Sequence, residues 1–72
     1  TVNVICPGWT RTDMAFDRMS ELGMNEASLK TGVPLGRFIE PLEIAQMAGY
    51  LVSDAASGVT GQSFVIDGGV LA

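Results

Sequence analysis

Few side chains in this sequence are of types that do chemistry unaided. There is no His, and Cys6, Tyr50, Trp9 and Lys30 are each the only residue of their kind. A thiol with no imidazole to activate it reads as a small buried apolar residue, not a nucleophile. The usual His/Cys zinc site cannot be assembled from one such chain. Asp67-Gly68-Gly69 offers one carboxylate, too few to hold a cation, and reads as a tight turn. Asp13, Asp17 and Glu21 read as a solvated helix face instead of a catalytic pair. What remains is Pro7-Gly8-Trp9-Thr10-Arg11-Thr12. Proline fixes φ, glycine removes a side chain, and the threonines bring hydroxyls beside free backbone. Such a turn can border a flat ring. Its plainer reading is the end of a strand, with Thr12 capping the next helix.

Those residues need elements to carry them. Thr1–Cys6 is β-branched and stops at Pro7-Gly8, which predicts a strand whose two faces are both largely apolar, as in a covered parallel sheet. Residues 9–32 are the least regular stretch. Thr12 or Asp13 can start a short helix that runs through Leu22, with Ala15, Met19 and Leu22 on one face and Gly23 as its stop. Asn25 can cap a second short helix, with Glu26 in its first turn and Lys30 in its last. Met14, Met19 and Met24 all fall here, and the stretch reads as a mobile helical insertion outside the core. Residues 33–39 form a turn-rich connector. A helix follows over 41–53, with Glu40 as cap, Pro41 at its first position, and an apolar stripe at Ile44, Met47, Ala48, Leu51 and Val52. One more turn is expected at Asp54–Ser57, then a strand over 63–66.

Strand, helical excursion, helix and strand make a βαβ crossover, which is right-handed and sets its strands parallel. The expected class is α/β: the C-terminal βαβ part of a doubly wound parallel sheet of the Rossmann type. Two strands are too few for a buried parallel sheet, so a fragment is expected, or a chain that folds only in an assembly.

Composition narrows the function classes. The chain has 72 residues, 47% of them apolar and 17% charged, which argues against intrinsic disorder. Its net charge is -4, and its basic residues, Arg11, Arg18, Lys30 and Arg37, are dispersed. That argues against a nucleic-acid partner or an anionic membrane surface. No apolar run approaches the length of a membrane span, no signal peptide is visible, and a lone Cys gives no internal disulfide.

The run from Val2 to Met14, with Asn3, Ile5, Pro7, Gly8, Thr12, Asp13 and Met14, resembles the N-x-I/V-x-P-G-x-x-x-T signature of the short-chain dehydrogenase/reductase family. Val33-Pro-Leu-Gly-Arg37, Glu40-Pro-Leu-Glu-Ile-Ala45, Leu51-Val-Ser-Asp54, Ser57-Gly-Val-Thr-Gly61 and Ile66-Asp-Gly-Gly69 resemble its later motifs, in order, along essentially the whole chain. The resemblance implies the last third of an NAD- or NADP-dependent subunit that interconverts an alcohol and a carbonyl, cytoplasmic and working as a homodimer or homotetramer. Residues 1–8 would be a strand and cofactor turn, 9–32 the substrate-loop helices, 41–53 a helix and 63–66 the last strand. Pro7 and Gly8 would border the nicotinamide, while the Thr10 backbone and the Thr12 hydroxyl hold its carboxamide. Trp9, Met14 and Met19 are candidates for the substrate side, or for packing the lid. Residues 41–53 and 63–66 would form the subunit interface. The family's glycine-rich phosphate turn, catalytic Ser and Y-x-x-x-K pair are not in this sequence: Asp54, not Lys, stands fourth after Tyr50. The 72 residues alone are therefore expected to be inactive. The rival reading is a truncated, non-catalytic module that packs against full-length subunits.

Overall fold

Two short, mainly apolar segments make the sheet. β1 (Val4–Pro7) and β2 (Ser63–Ile66) run parallel, Val4 opposite Ser63 through Pro7 opposite Ile66. The structure, a computed structural model, describes residues 1–71. Parallel strands cannot be joined by a tight turn, so the chain crosses over through α1 (Asp13–Glu21), α2 (Glu26–Lys30) and α3 (Pro41–Leu51).

The first strand begins later than the β-branched run suggests. Residues 1–3 lie outside the ladder and bind the loop before β2. Asn3 Nδ2 donates to the Val59 carbonyl at 3.0 Å, and Asn3 Oδ1 accepts from the Gln62 amide at 3.1 Å. Gly61 N donates to Val2 O at 2.7 Å. Pro7 can close the strand because the next ladder bond uses the Gly8 amide, which donates to Ile66 O at 2.9 Å.

Local chemistry sets the helix starts. Thr12 Oγ1 accepts from Ala15 N at 3.2 Å, and Asn25 Oδ1 accepts from Ser28 N at 2.9 Å. Each hydrogen bond satisfies an amide that the first turn leaves unpaired. Glu40 makes no such side-chain cap; its carboxylate reaches toward Arg11 instead. The α3 helix ends at Leu51, short of the expected Ser53. The Ser53 hydroxyl donates to Tyr50 O at 2.6 Å, and the chain makes a single 3-10 turn at Asp54–Ala56.

The core is not where the sequence puts it. The Met-rich stretch, read as a mobile insertion, contributes Met19, 3% exposed, to a cluster with Val33 and Phe38, the latter 1% exposed. Trp9 and Leu29 pack against this cluster, and the Trp9 and Phe38 rings stack with centroids 5.8 Å apart. Val33 and Phe38 belong to the connector, whose turns bring them back onto the helices. Met suits the irregular gap that results because its side chain is unbranched and flexible.

The sheet layer shows the opposite pattern. Cys6, expected to be buried, is exposed, as is its register partner Val65. On α3, Leu51 is buried and Ile44 and Met47 are half-buried, but Ala48 is open and Val52 is 87% exposed. Two strands are too narrow to cover the whole apolar stripe of a helix.

Candidate functional site

The C-terminal end of β1 opens onto a cleft of about 820 Å³. In an open α/β sheet this is the end where ligands bind, because the loops that leave the strands diverge there. Pro7, Gly8, Trp9, Thr10, Thr12 and Met14 all line it. The backbone at Thr10 is laid out by a parallel bridge to Ile39. Ile39 N donates to Trp9 O, and Arg11 N donates to Ile39 O, both at 2.9 Å. Since a parallel bridge engages the carbonyl before and the amide after the central residue, Thr10's own N–H and C=O point the other way. Among the described residues no backbone group pairs with the Thr10 amide. The Thr10 hydroxyl is folded back, donating to Gly8 O at 3.0 Å. An unpaired amide beside a carbonyl suits a primary carboxamide, which carries one acceptor and two donor hydrogens.

Thr12 acts as a cap. Besides accepting from Ala15 N, its hydroxyl lies 3.4 Å from Thr10 O, to which it donates weakly. The hydroxyl therefore lies beside the same carbonyl and fixes the start of α1.

Gly8 is required for a reason the sequence does not announce. A Cβ at this position would stand 2.6 Å from Asp67 Cβ and 2.9 Å from Asp67 Cα. The space is taken by the turn after β2, not kept open for a ring. Asp67 is itself fixed: Oδ1 accepts from Gly69 N at 2.8 Å and Oδ2 from Leu71 N at 3.0 Å. Its carboxylate satisfies turn amides, which agrees with the tight-turn reading of Asp67-Gly68-Gly69. Among the described residues no cluster of acidic or thiol side chains could hold a metal ion. The turn docks on the connector as well, where Leu35 N donates to Gly68 O at 2.9 Å.

On the candidate substrate side the structure separates the residues that the sequence grouped. Trp9 lines the cleft while stacking on Phe38. Met14 projects at the rim, 81% exposed. Met19 is not among the lining residues; it is buried with Val33 and Phe38, where a ligand cannot touch it. Its helical spacing could not reveal this, because the residues that bury it come from the connector. Asp67 and Arg18 bring charge to a wall that is otherwise mainly apolar. Away from the cleft, the Arg37 guanidinium donates to Glu43, 2.7 Å away, and holds its carboxyl below the usual carboxylate range. The only tyrosine, Tyr50, lies in α3, and the only lysine, Lys30, lies in α2, where its ammonium is 3.8 Å from Glu26.

Fold and cleft together are those of a parallel α/β layer that opens at the carboxyl end of its strands, and the comparisons with known proteins identify the family. The family model described as enoyl-(acyl carrier protein) reductase matches residues 1–71. The chain belongs to the short-chain dehydrogenase/reductase family of oxidoreductases. It is 36% identical over 78 aligned positions to a putative ketoacyl reductase of Streptomyces coelicolor, covering 97% of this chain and 30% of that protein. It is 44% identical over 71 positions to 2-keto-3-deoxy-L-fuconate dehydrogenase of Xanthomonas campestris, covering 93% of this chain and 24% of the relative. Among solved structures, a variant of actinorhodin polyketide ketoreductase with NADPH superposes with a TM-score of 0.85 at 35% identity, over 97% of this chain and 30% of that one. YwfH, an NADPH-dependent reductase, superposes with a TM-score of 0.90 at 34% identity, over 97% of this chain and 29% of its own. The chain thus spans less than a third of the length of these curated relatives.

Proposed function

We propose that this chain is the C-terminal part of a subunit of an NAD(P)-dependent oxidoreductase that interconverts an alcohol and a carbonyl. Within that subunit it supplies the nicotinamide-side backbone, the substrate lid and part of the oligomer interface. The observation that carries the reading is Thr10, whose amide and carbonyl are turned away from Ile39 at the end of β1 that opens onto the cleft. Thr10 N–H donates to the carboxamide oxygen, Thr10 C=O accepts from its NH2, and the Thr12 hydroxyl lies beside that carbonyl. Pro7 and Gly8 form the floor, and Asp67 holds Gly8 in place from behind. The nicotinamide supplies hydride chemistry; this chain's residues orient and bind. Trp9 and Met14 give the carbonyl compound an apolar wall, and α1 with α2 covers it. The acid that donates a proton to the carbonyl oxygen belongs to the rest of the subunit, as does the residue that tells NAD from NADP. The reading places the enzyme in the cytoplasm.

Carbonyl reduction is favoured over reduction of an enoyl double bond by the relatives, a putative ketoacyl reductase and a 2-keto-3-deoxy-L-fuconate dehydrogenase. The second copy in a homodimer or homotetramer meets α3 and β2. A Cβ at Gly49 would have nothing within 4 Å, so that face of α3 is free for close approach. The test is NADH and NADPH titration of the whole subunit, followed by assay with ketone and enoyl thioesters. Cofactor binding and oxidation with the ketone alone are expected. Turnover of the enoyl compound alone reverses the reaction assignment, and a subunit that binds neither cofactor favours the packing-module reading.

A further inference from the structure

We propose that Arg11 is a positioning residue whose guanidinium fastens the two-helix excursion to the Thr10–Thr12 backbone, so that the lid and the carboxamide-holding segment move as one body. The proposal rests on the oxidoreductase reading given above. Arg11 is the first charged residue of the chain, and it stands between two residues that line the cleft without lining it itself. Its backbone is fixed by the bond to Ile39. Its side chain gathers three helices. Nη1 pairs with Glu26 Oε1 at the first residue of α2. Nε lies 3.5 Å from Glu40 Oε1 at the N-cap of α3. Cζ sits 5.5 Å from the centroid of the Phe16 ring on α1.

A single exposed ion pair contributes little, because water and salt screen it and two side chains must be ordered. Here one planar fork serves two carboxylates and an aromatic face at once, so the ordering of one side chain is shared among three contacts. Removing it does more than delete attraction. Glu40, and Glu26 with only Lys30 at 3.8 Å beside it, lose the cation that joins them and stand as like charges at the starts of two helices. Their repulsion, reduced but not abolished by Lys30, then opposes the approach of α2 to the base of α3. The lid then parts from the segment that carries Thr10, while the chemistry, which resides elsewhere, is untouched.

The test compares the whole parent subunit with Arg11→Met and with Arg11→Met/Glu40→Gln. Amide hydrogen exchange over residues 13–30 is read beside the KM for NADPH and ketone, kcat, and the melting temperature. For Arg11→Met, exchange over 13–30 quickens and both KM values rise about fivefold, with kcat kept within about twofold. The double variant recovers part of the loss, because the like-charge repulsion is gone. Unchanged exchange overturns the fastening whatever the enzyme does. Faster exchange or a lower melting temperature with unaltered KM overturns the positioning role. A parent that binds no nicotinamide cofactor overturns the oxidoreductase reading and the positioning role together, while exchange still reports on the fastening by itself.

Discussion

The helical excursion and the sheet layer of this chain handle their apolar residues in opposite ways. The excursion and the connector that returns from it draw Met19, Val33 and Phe38 into one buried cluster and close it with Trp9 and Leu29. The sheet layer leaves Val4, Val65 and most of one α3 edge in contact with water. Apolar patterning in a strand reports the cover that the complete fold provides. In the excursion and its connector, the cover and the covered residues come from the same few dozen positions. Excursion and connector together are therefore largely self-contained, while β1, β2 and α3 keep apolar surface that the described residues leave open.

Substitutions in a whole subunit test this contrast. The greatest loss comes at the centre of the buried cluster. Phe38→Ala removes a ring that is 1% exposed and stacked on Trp9, and is expected to destabilise by about 3–5 kcal/mol in urea unfolding. A loss as small as that of a typical surface substitution would mean that the cluster is not a core. Next comes the seam between the regions. Gly8→Ala sets a methyl 2.6 Å from Asp67 Cβ, a contact that backbone must relieve. It is expected to cost about 1–3 kcal/mol. Asp67→Gly unpairs the Gly69 and Leu71 amides and has a loss of its own, so the pair combined should cost less than the sum of the two single changes; additive losses would place the Gly8 strain elsewhere. Thr12→Val removes the α1 cap and is expected to cost about 1 kcal/mol, with Thr12→Ser near parental. On the proposed function, the valine variant also weakens NADPH binding. Normal affinity with a lowered melting temperature would leave Thr12 as a cap alone.

The smallest effect is electrostatic. Glu43 has its folded-state pKa lowered by the hydrogen bond from Arg37. Its contribution to stability is therefore fully present above the ordinary carboxylate range and is lost as pH falls through the depressed folded value. Glu43→Gln should shrink the parent's loss of stability on acidification slightly. Identical acid profiles for the two proteins would show that solvent screens the pair completely.

Elements with local causes were legible in the sequence. Thr12, Asn25 and Pro41 start helices as their types dictate, and Ser63–Ile66 is a strand as its composition suggests. Causes that act between distant segments were hidden. Phe38 sits in a stretch with no periodicity, so nothing in its neighbourhood announces the most buried large side chain. Cys6 looked buried because a central strand normally is. At the site, Pro7, Gly8, Thr10 and Thr12 could be singled out by type and by family resemblance. The reason for Gly8 could not, since Asp67 lies far along the chain. Arg11 reads in the sequence only as one of the dispersed basic residues, because Glu26 becomes its partner only when the chain turns back after α1 and Glu40 only when the connector folds back. The parallel bridge at Thr10 was equally invisible, because Ile39 belongs to no regular strand.

Asn3 has a consequence for how the chain assembles. Its amide group joins positions separated by 56 and 59 residues, and the β1–β2 ladder spans a similar interval. Closing a loop of that length carries an entropy penalty that grows with the logarithm of its length, and it must be met before either strand gains a hydrogen bond. The cap bonds at Thr12 and Asn25 reach only three residues ahead and carry almost none of that penalty. When the excursion is already compact, the ends it presents to one another are much closer than those of an open chain. The helices of the crossover thus also shorten the search by which the two strands meet.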